Sequence, residues 1–411
     1  MRGKKQTTMK KILLTIAFAV AFASTTFAQN YEALSKYMEK YSGCWHQTKF
    51  FAGNRGDSSA ANKSQIGMTM PEYSFSKTLN SKALRGKTVV MTFWATWCGG
   101  CRLLCVDLDS VMVRHSDEFG NVQIIGVDSH EKLVDKGYVP SKFWEEKGIG
   151  FPTTKPGKAA DQCAESIKAG HPTTVVIDGE GIIRGRWEAW QPGLAGHVAL
   201  AAWAIDVAPR QGIKADLPTV DRLLGEKHYD RTLYLLEQMP LDTISIAQRW
   251  KAMLNVLPMR AIELYKELKK KHYNIENDTE MWTRRPSAEY LAMMKALRDV
   301  IYESESEEPE VLQMGREASS VAANWGGYDA ANSFKGSELA IRYARSVEKR
   351  AVKSLLETKR YTNDRQKMDA INAIINKYGI VESDYSTVNR DHQRMEQDKR
   401  EQQEHMKNVS E

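Results

Sequence analysis

The sequence predicts two architectures in series: an α/β domain over residues 68–207 and an all-α domain over residues 208–385. Three observations carry this reading. Apolar, β-branched runs at 88–94 ("TVVMTFW"), 121–127 ("NVQIIGV") and 173–178 ("TTVVID") read as strands buried on both faces. The stretches between them hold helical periodicity, so strand and helix alternate. Beyond Pro209 no such run recurs, and apolar residues fall at helical spacing instead.

The elements follow in order. Residues 1–11 carry Arg2, Lys4, Lys5, Lys10 and Lys11; 12–22 are almost wholly apolar; Thr26 and Ala28 supply small residues at the −3 and −1 positions. This pattern predicts a secretory signal peptide over 1–28, cleaved before Gln29, with an apolar run too short for a good membrane span. Met9 offers a second start with its own basic n-region, and no cysteine follows the cleavage site to take a lipid. The expected location is the periplasm or cell exterior, where disulfides persist. Segment 29–67 reads as a helix at 31–41 and a polar loop at 52–64.

Within 68–207, the strand at 88–94 leads into a cysteine motif and a helix at 102–114 with Leu104, Leu108, Val111 and Met112 on one side. The strand at 121–127 and a short helix at 142–147 come next. The strand at 173–178, the turn Gly179-Glu180-Gly181 and a strand at 182–187 form a hairpin, and an amphipathic helix at 194–207 closes the domain. In 208–385, three apolar helical faces stand out: Tyr290, Met294, Leu297 and Ile301; Tyr343, Val347, Ala351 and Leu355; and Met368, Ile371 and Ile375 ahead of a Gly379 cap. Pro258, Pro286, Pro309 and Gly326-Gly327 separate the helices. "LLGEKHYD" at 223 and "LLETKRYT" at 355 are alike, but two loose matches set no repeat period. The acidic run 303–310 reads as a solvated loop, and 386–411 as a polar tail.

A formal charge of +6 with mixed signs gives no case for nucleic acid. The chemistry concentrates in "FWATWCGGCRLLC" at 93–105, which holds three of the five cysteines. A CxxC is either half a zinc site or a redox pair. Zinc needs a second pair of ligands, and Cys44, Cys105 and Cys163 form no second CxxC. A strand that runs into the motif, followed by a helix starting near Cys98, favours redox chemistry. The unpaired N–H groups and dipole of a helix N-terminus favour a thiolate at Cys98. Cys98 is therefore the expected nucleophile. Cys101, one turn inward, is the expected resolving thiol, closing a Cys98–Cys101 disulfide.

"VVMTFWATWCGGC" resembles the active-site strand and turn of thioredoxin-like proteins, especially the exported TlpA/ResA type of thiol–disulfide reductases. "MPEYSFS" at 70–76 resembles the strand that opens such domains, and "GHPTTVVIDGEGIIRG" from Gly170 resembles their second signature. The resemblance implies a thioredoxin-like fold, with Pro172 as the cis-proline facing the disulfide and Trp97, His171 and Thr173 at the substrate side. It also implies protein disulfides as substrates, a membrane thiol reductant as electron donor, no cofactor and no bound metal. Other readings are a copper-delivery protein using Cys101, Cys105 and His171, a peroxiredoxin-like peroxidase, and a non-catalytic scaffold.

Two departures stand out. The carboxylate usual in such domains would sit at Thr92 or Leu104, so no buried acid is expected to serve Cys101. Asp107 and Asp128 are the substitutes, though each reads as a surface or strand-end residue. Gly99-Gly100 replaces the usual proline-bearing dipeptide. Cys105 reads as a buried, inert thiol. Cys44 and Cys163 could pair, Trp94 reads as core and Trp97 as rim. The helical domain has no cysteine, no metal-spaced cluster and no phosphate loop. Its tryptophans, Trp250, Trp282 and Trp325, should be mostly core, and its expected role is docking a protein or dimerising, which would lend specificity.

Overall fold

A computed structural model of the protein describes residues 33–34, 36–38, 40–41, 65–131, 140–273, 285–326, 330–381, 397 and 400. The expected signal peptide at 1–28, the expected polar loop at 52–64, Cys44, Trp282 and nearly all of the expected tail lie outside the described residues. The chain divides into two compact units: one contains the sheet and reaches Lys214, the other spans Ala215–Asn389.

The first unit is built on a four-stranded mixed sheet of order β2-β1-β3-β4. Strand β1 (Thr88–Trp94) is buried along its whole length. It pairs in parallel with β2 (Val122–Asp128) and antiparallel with β3 (Thr173–Ile177), which forms a hairpin with β4 (Ile183–Glu188). Trp94 is in register with Asp128, and Phe93 with Thr173, so these residues gather at one end of the sheet. Side chains alternate between faces. Val89, Met91 and Phe93 join Ile125, Val127, Val175 and Ile177 in one apolar core. Helix α4 (Lys158–Ser166) covers that core through Ala160, Cys163 and Ala164.

Thr92 and Trp94 therefore face the opposite side. There α1 (Gly99–Leu108) continues into a π-helical turn at Asp109–Val113, and α2 (Ser116–Phe119) follows. Trp94 packs on Phe143 and Trp144 of α3 (Pro140–Lys147), at ring separations of 5.7 and 4.5 Å. Gly126 permits this packing, because a Cβ there would lie 2.9 Å from the Trp144 ring. Helix α5 (Leu194–Ala202), with its π-helical extension Trp203–Val207, completes this layer.

Two departures from the sequence reading have physical causes. Residues 70–76 do not form a strand: only the isolated bridges Thr69–Ile182 and Ser74–Asn80 occur, Pro71 supplies no N–H, and the Asn80 side-chain amide turns the chain by donating to the Ser76 and Lys77 carbonyls. Helix α4 was not anticipated, since its buried face is made of alanine and cysteine rather than large apolar residues. Cys163 is a buried thiol with no disulfide partner among the described residues, and Cys44, the partner suggested for it, lies outside them.

The second unit is helical: α6 (Leu217–Gly225), α7 (Tyr229–Leu236), α8 (Ile246–Val256), α9 (Pro258–Tyr273), α10 (Ala288–Glu303), α11 (Pro309–Trp325), α12 (Ala330–Tyr361) and α13 (Arg365–Tyr378). Side chains of Asp216, Ser287 and Asp364 cap α6, α10 and α13 by accepting first-turn N–H groups. Gly379 closes α13 at φ 62°. Tyr290, Met294, Leu297, Ile301 and Trp250 are buried as expected. The stripe on α12 is not core: Val347 and Ala351 are exposed, and Leu339 and Ser346 supply the buried contacts instead. Helix α12 has 32 residues, twice the length of α10, and Tyr343 and Val347 line an open groove with Ile262, Tyr265 and Met314. The acidic run is solvent-facing but paired, with Glu308 and Glu310 both bonded to Arg350. No helix among the described residues is long and apolar enough to cross a membrane.

Candidate active site

The site begins where β1 ends. Four residues beyond Trp94, Cys98 adopts an extended conformation (φ −98°, ψ 102°) and caps α1. Its Sγ accepts the Cys101 N–H at 3.2 Å. A sulfur in that position takes up one of the donors that a helix N-terminus leaves unpaired, so negative charge on it is stabilised. Cys98 and Cys101 are joined in a disulfide, with Cα atoms 5.2 Å apart. Cys98 is half-buried, whereas Cys101 is fully buried. The pair thus presents its first sulfur and hides its second.

Two loops flank the pair. The His171–Pro172 bond is cis, and a Cβ on Gly100 would lie 3.9 Å from Pro172 Cδ and 3.3 Å from Trp190 Cβ. Trp190 follows β4, where Ala189 has φ 62° and donates its N–H to the Pro172 carbonyl at 2.9 Å. The Trp190 indole donates to Asp107 Oδ2 at 2.9 Å. The glycine dipeptide therefore fits beneath a tryptophan that α1 itself holds in place. Trp190 carried no sequence signal beyond the missing side chains of Gly99 and Gly100, and Asp107 is occupied at this rim.

The opposite rim is aromatic. Trp97 and His171 have ring centres 5.1 Å apart, and His130 meets His171 edge-on at 5.8 Å. Trp97 donates its indole N–H to the His130 carbonyl. His171 Nε2 lies 2.9 Å from the Ser129 carbonyl and 3.0 Å from Ser129 Oγ. A carbonyl only accepts, so Nε2 carries the proton. Thr173 is buried, and its Oγ1 accepts the Gly170 N–H, which shapes the loop ahead of Pro172. Trp97, His171 and Pro172 thus gather with the cysteine pair, while the Thr173 side chain turns back into its own loop.

Beneath the pair, Thr92 accepts a hydrogen bond from Thr174 Oγ1, and Leu104 is buried. Neither supplies an acid. Asp128 is a strand-end residue, the last of β2, but it does not lie at the surface: it is completely buried. Burial, reinforced by the Glu131 carboxylate and the charge of Asp161, pushes it up to about 8. Glu131 in turn accepts the Thr96 N–H at 2.8 Å, and Asp161 accepts the His130 N–H at 2.6 Å. Cys105 is buried, and burial and then Asp128 raise its thiol well above the ordinary range. Among the described residues no group of three or more His, Cys, Asp or Glu is arranged to hold a metal.

Residues 66–186 match the model of the AhpC/TSA family. The chain is 29% identical over 129 residues to the thioredoxin-like protein YneN of Bacillus subtilis, covering 29% of this chain and 69% of that protein. It is 27% identical over 135 residues to the thiol-disulfide oxidoreductase ResA of Oceanobacillus iheyensis, covering 33% of this chain and 64% of that protein. Among solved structures it is similar to the thioredoxin domain of a thiol-disulfide oxidoreductase from Bacteroides vulgatus, at 22% identity and a TM-score of 0.27, covering 33% of this chain and 95% of that one.

Proposed function

We propose that this chain, which carries a thioredoxin-like domain of the AhpC/TSA family over residues 66–186, is an exported protein thiol–disulfide oxidoreductase working as a reductase. The observation that supports it most is the position of Cys98: a half-buried sulfur capping α1, bonded by the Cys101 N–H and in disulfide contact with Cys101. In the dithiol form, the Cys98 thiolate attacks one sulfur of a substrate disulfide, and the other substrate sulfur leaves. Cys101 then attacks Cys98 Sγ, releases the second substrate thiol and closes the Cys98–Cys101 disulfide. Trp97 and His171 on one rim, and Pro172 and Trp190 on the other, form the surface against which the substrate chain lies.

The substrates are proteins bearing exposed disulfides. The reductive direction is drawn from the resemblance to TlpA/ResA-type reductases and implies a membrane thiol donor that returns Cys98–Cys101 to the dithiol. Export to the periplasm is drawn from the basic-then-apolar pattern of residues 1–28. No cofactor enters the exchange. The helical unit is assigned to partner choice, because its residues bring no thiol to the chemistry.

Insulin reduction by the dithiol form tests the activity. Wild type should precipitate insulin B chain in the presence of a small thiol, and Cys98→Ser should not. Equal activity in the two proteins, or consumption of peroxide in place of insulin disulfides, would contradict this function.

A further inference from the structure

We propose that Asp128 is the proton acceptor for the Cys101 thiol when a mixed disulfide on Cys98 is resolved. This deepens the proposed exchange chemistry and rests on it.

The sheet places Asp128 for the task. Thr92 and Trp94 face away from the core that α4 covers, and Asp128 is the register partner of Trp94, so its side chain shares their face. It stands at the end of the sheet from which the chain passes, within four residues, into Cys98 and α1. The inward side of α1 carries Cys101, Leu104, Cys105 and Leu108. Cys105 feels the Asp128 charge more than that of any other group. Cys101 lies one turn nearer the helix start, on the same side and toward the same end of the sheet.

The side chain's one hydrogen-bond partner is another acid, Glu131, and a bond between two carboxyl groups needs one of them protonated. No amide, hydroxyl or cationic donor of the described residues reaches either carboxylate oxygen. The Asp128 main chain is tied down, where its N–H donates to Thr154 Oγ1 at 3.0 Å. A buried carboxyl whose one partner is a second acid is costly when ionised. The surrounding groups leave it so. Glu131 and Asp161 add negative charge from the following loop and from α4, and Cys105 lies on α1. Arg102 on α1 is buried with its guanidinium 5.8 Å from the centre of the Phe143 ring, and Asp107 is held by Trp190. His130 and His171 meet edge to face at the rim. An affinity pushed up to about 8 matches the carboxylate to a thiol and makes it a usable base.

The step balances. The Asp128 carboxylate takes the proton of the Cys101 thiol, leaving a thiolate and a neutral carboxylic acid. The thiolate attacks Cys98 Sγ, and the bond from Cys98 to the substrate sulfur breaks with its electron pair going to the substrate. That sulfur takes a proton from water as Asp128 releases its own. Cys98 and Cys101 are oxidised together to one disulfide, and the substrate half-disulfide is reduced to a thiol.

The experiment is rapid-mixing kinetics of the reduced full chain with an aromatic disulfide whose thiol product absorbs, between pH 5 and 10. Attack by Cys98 and resolution by Cys101 are separate phases. In wild type the resolution rate should rise with pH and level off near 8. In Asp128→Asn it should fall at least tenfold at pH 7 and keep climbing past pH 9, with the attack phase unchanged; general-base contributions are typically 10²–10⁴-fold. Asp117→Asn, at an exposed position of α2, should keep the wild-type profile. As a measurement free of any substitution, the infrared carboxyl band of wild type should show one buried acid whose titration midpoint differs between dithiol and disulfide forms. An unmoved resolution profile in Asp128→Asn, or no redox-linked carboxyl band, overturns the role of Asp128 alone. A wild type that never releases the aromatic thiol overturns the exchange chemistry, and this role with it.

Discussion

Replacing Asp128 with asparagine should stabilise the oxidised protein, and by an amount that grows with pH. Asp128 is completely buried, and its affinity for a proton rises from the ordinary 3.8 to about 8 in the folded chain. Between these two values the folded state keeps a proton that the unfolded state gives up. Stability is therefore fully present below about pH 4 and drains away as pH rises toward 8, at about 1.4 kcal/mol per unit. About four units lie between the two values, so the loss reaches about 6 kcal/mol at pH 8 and about 4 kcal/mol at pH 7. Asparagine keeps the shape and carries no charge, so the variant escapes this loss. Hydrogen exchange of the β1 and β2 amides in the disulfide form, from pH 4 to 8, reads the difference within the sheet unit and avoids assuming one cooperative transition for two units. The variant should match wild type near pH 4 and exceed it increasingly toward pH 8. A gap that stays constant across this range, or a variant that loses protection as pH rises, would refute the reasoning. Gained stability alongside slowed resolution is the trade expected where a residue is retained for chemistry.

Reduced protein alkylated at mildly acidic pH should be labelled at Cys98 well before Cys101, as mapped by peptide mass; the reverse order would exchange their roles. Gly126→Ala should destabilise the sheet unit by about 2 kcal/mol, because the new Cβ would meet the Trp144 ring at 2.9 Å; a shift in urea midpoint measures it. A chain ending at Lys214 should fold, reduce insulin, and lose preference for its physiological partner in competition assays; a folded but inactive fragment would place part of the active site in the helical unit.

Much of the site could be read in advance because its signals are local. The run at β1, the CxxC that follows it and the proline ahead of β3 are short stretches whose chemistry depends on their own neighbours. Asp128 is different. An acid at a strand end reads as solvated, and its burial is decided by distant segments: Ser129 N–H reaches back to the Trp94 carbonyl, and Thr154 returns beside β2. Trp190 lies on Gly100 from the far side of a hairpin, and only an empty dipeptide hinted at it. Helix α4 hid behind a face of small residues. The stripe on α12 misled in the other direction: periodicity shows that a helix has an apolar side, but not whether a neighbour is long enough to cover it.

The most direct test of the account is to trap the intermediate. Cys101→Ser protein, expressed as the full chain from Met1 and captured from cells under acid quench, should carry partner proteins in mixed disulfides at Cys98, released by reductant and absent from Cys98→Ser. Adducts on Cys105 or Cys163, or none on Cys98 while wild type still reduces insulin, would contradict dithiol exchange at Cys98–Cys101.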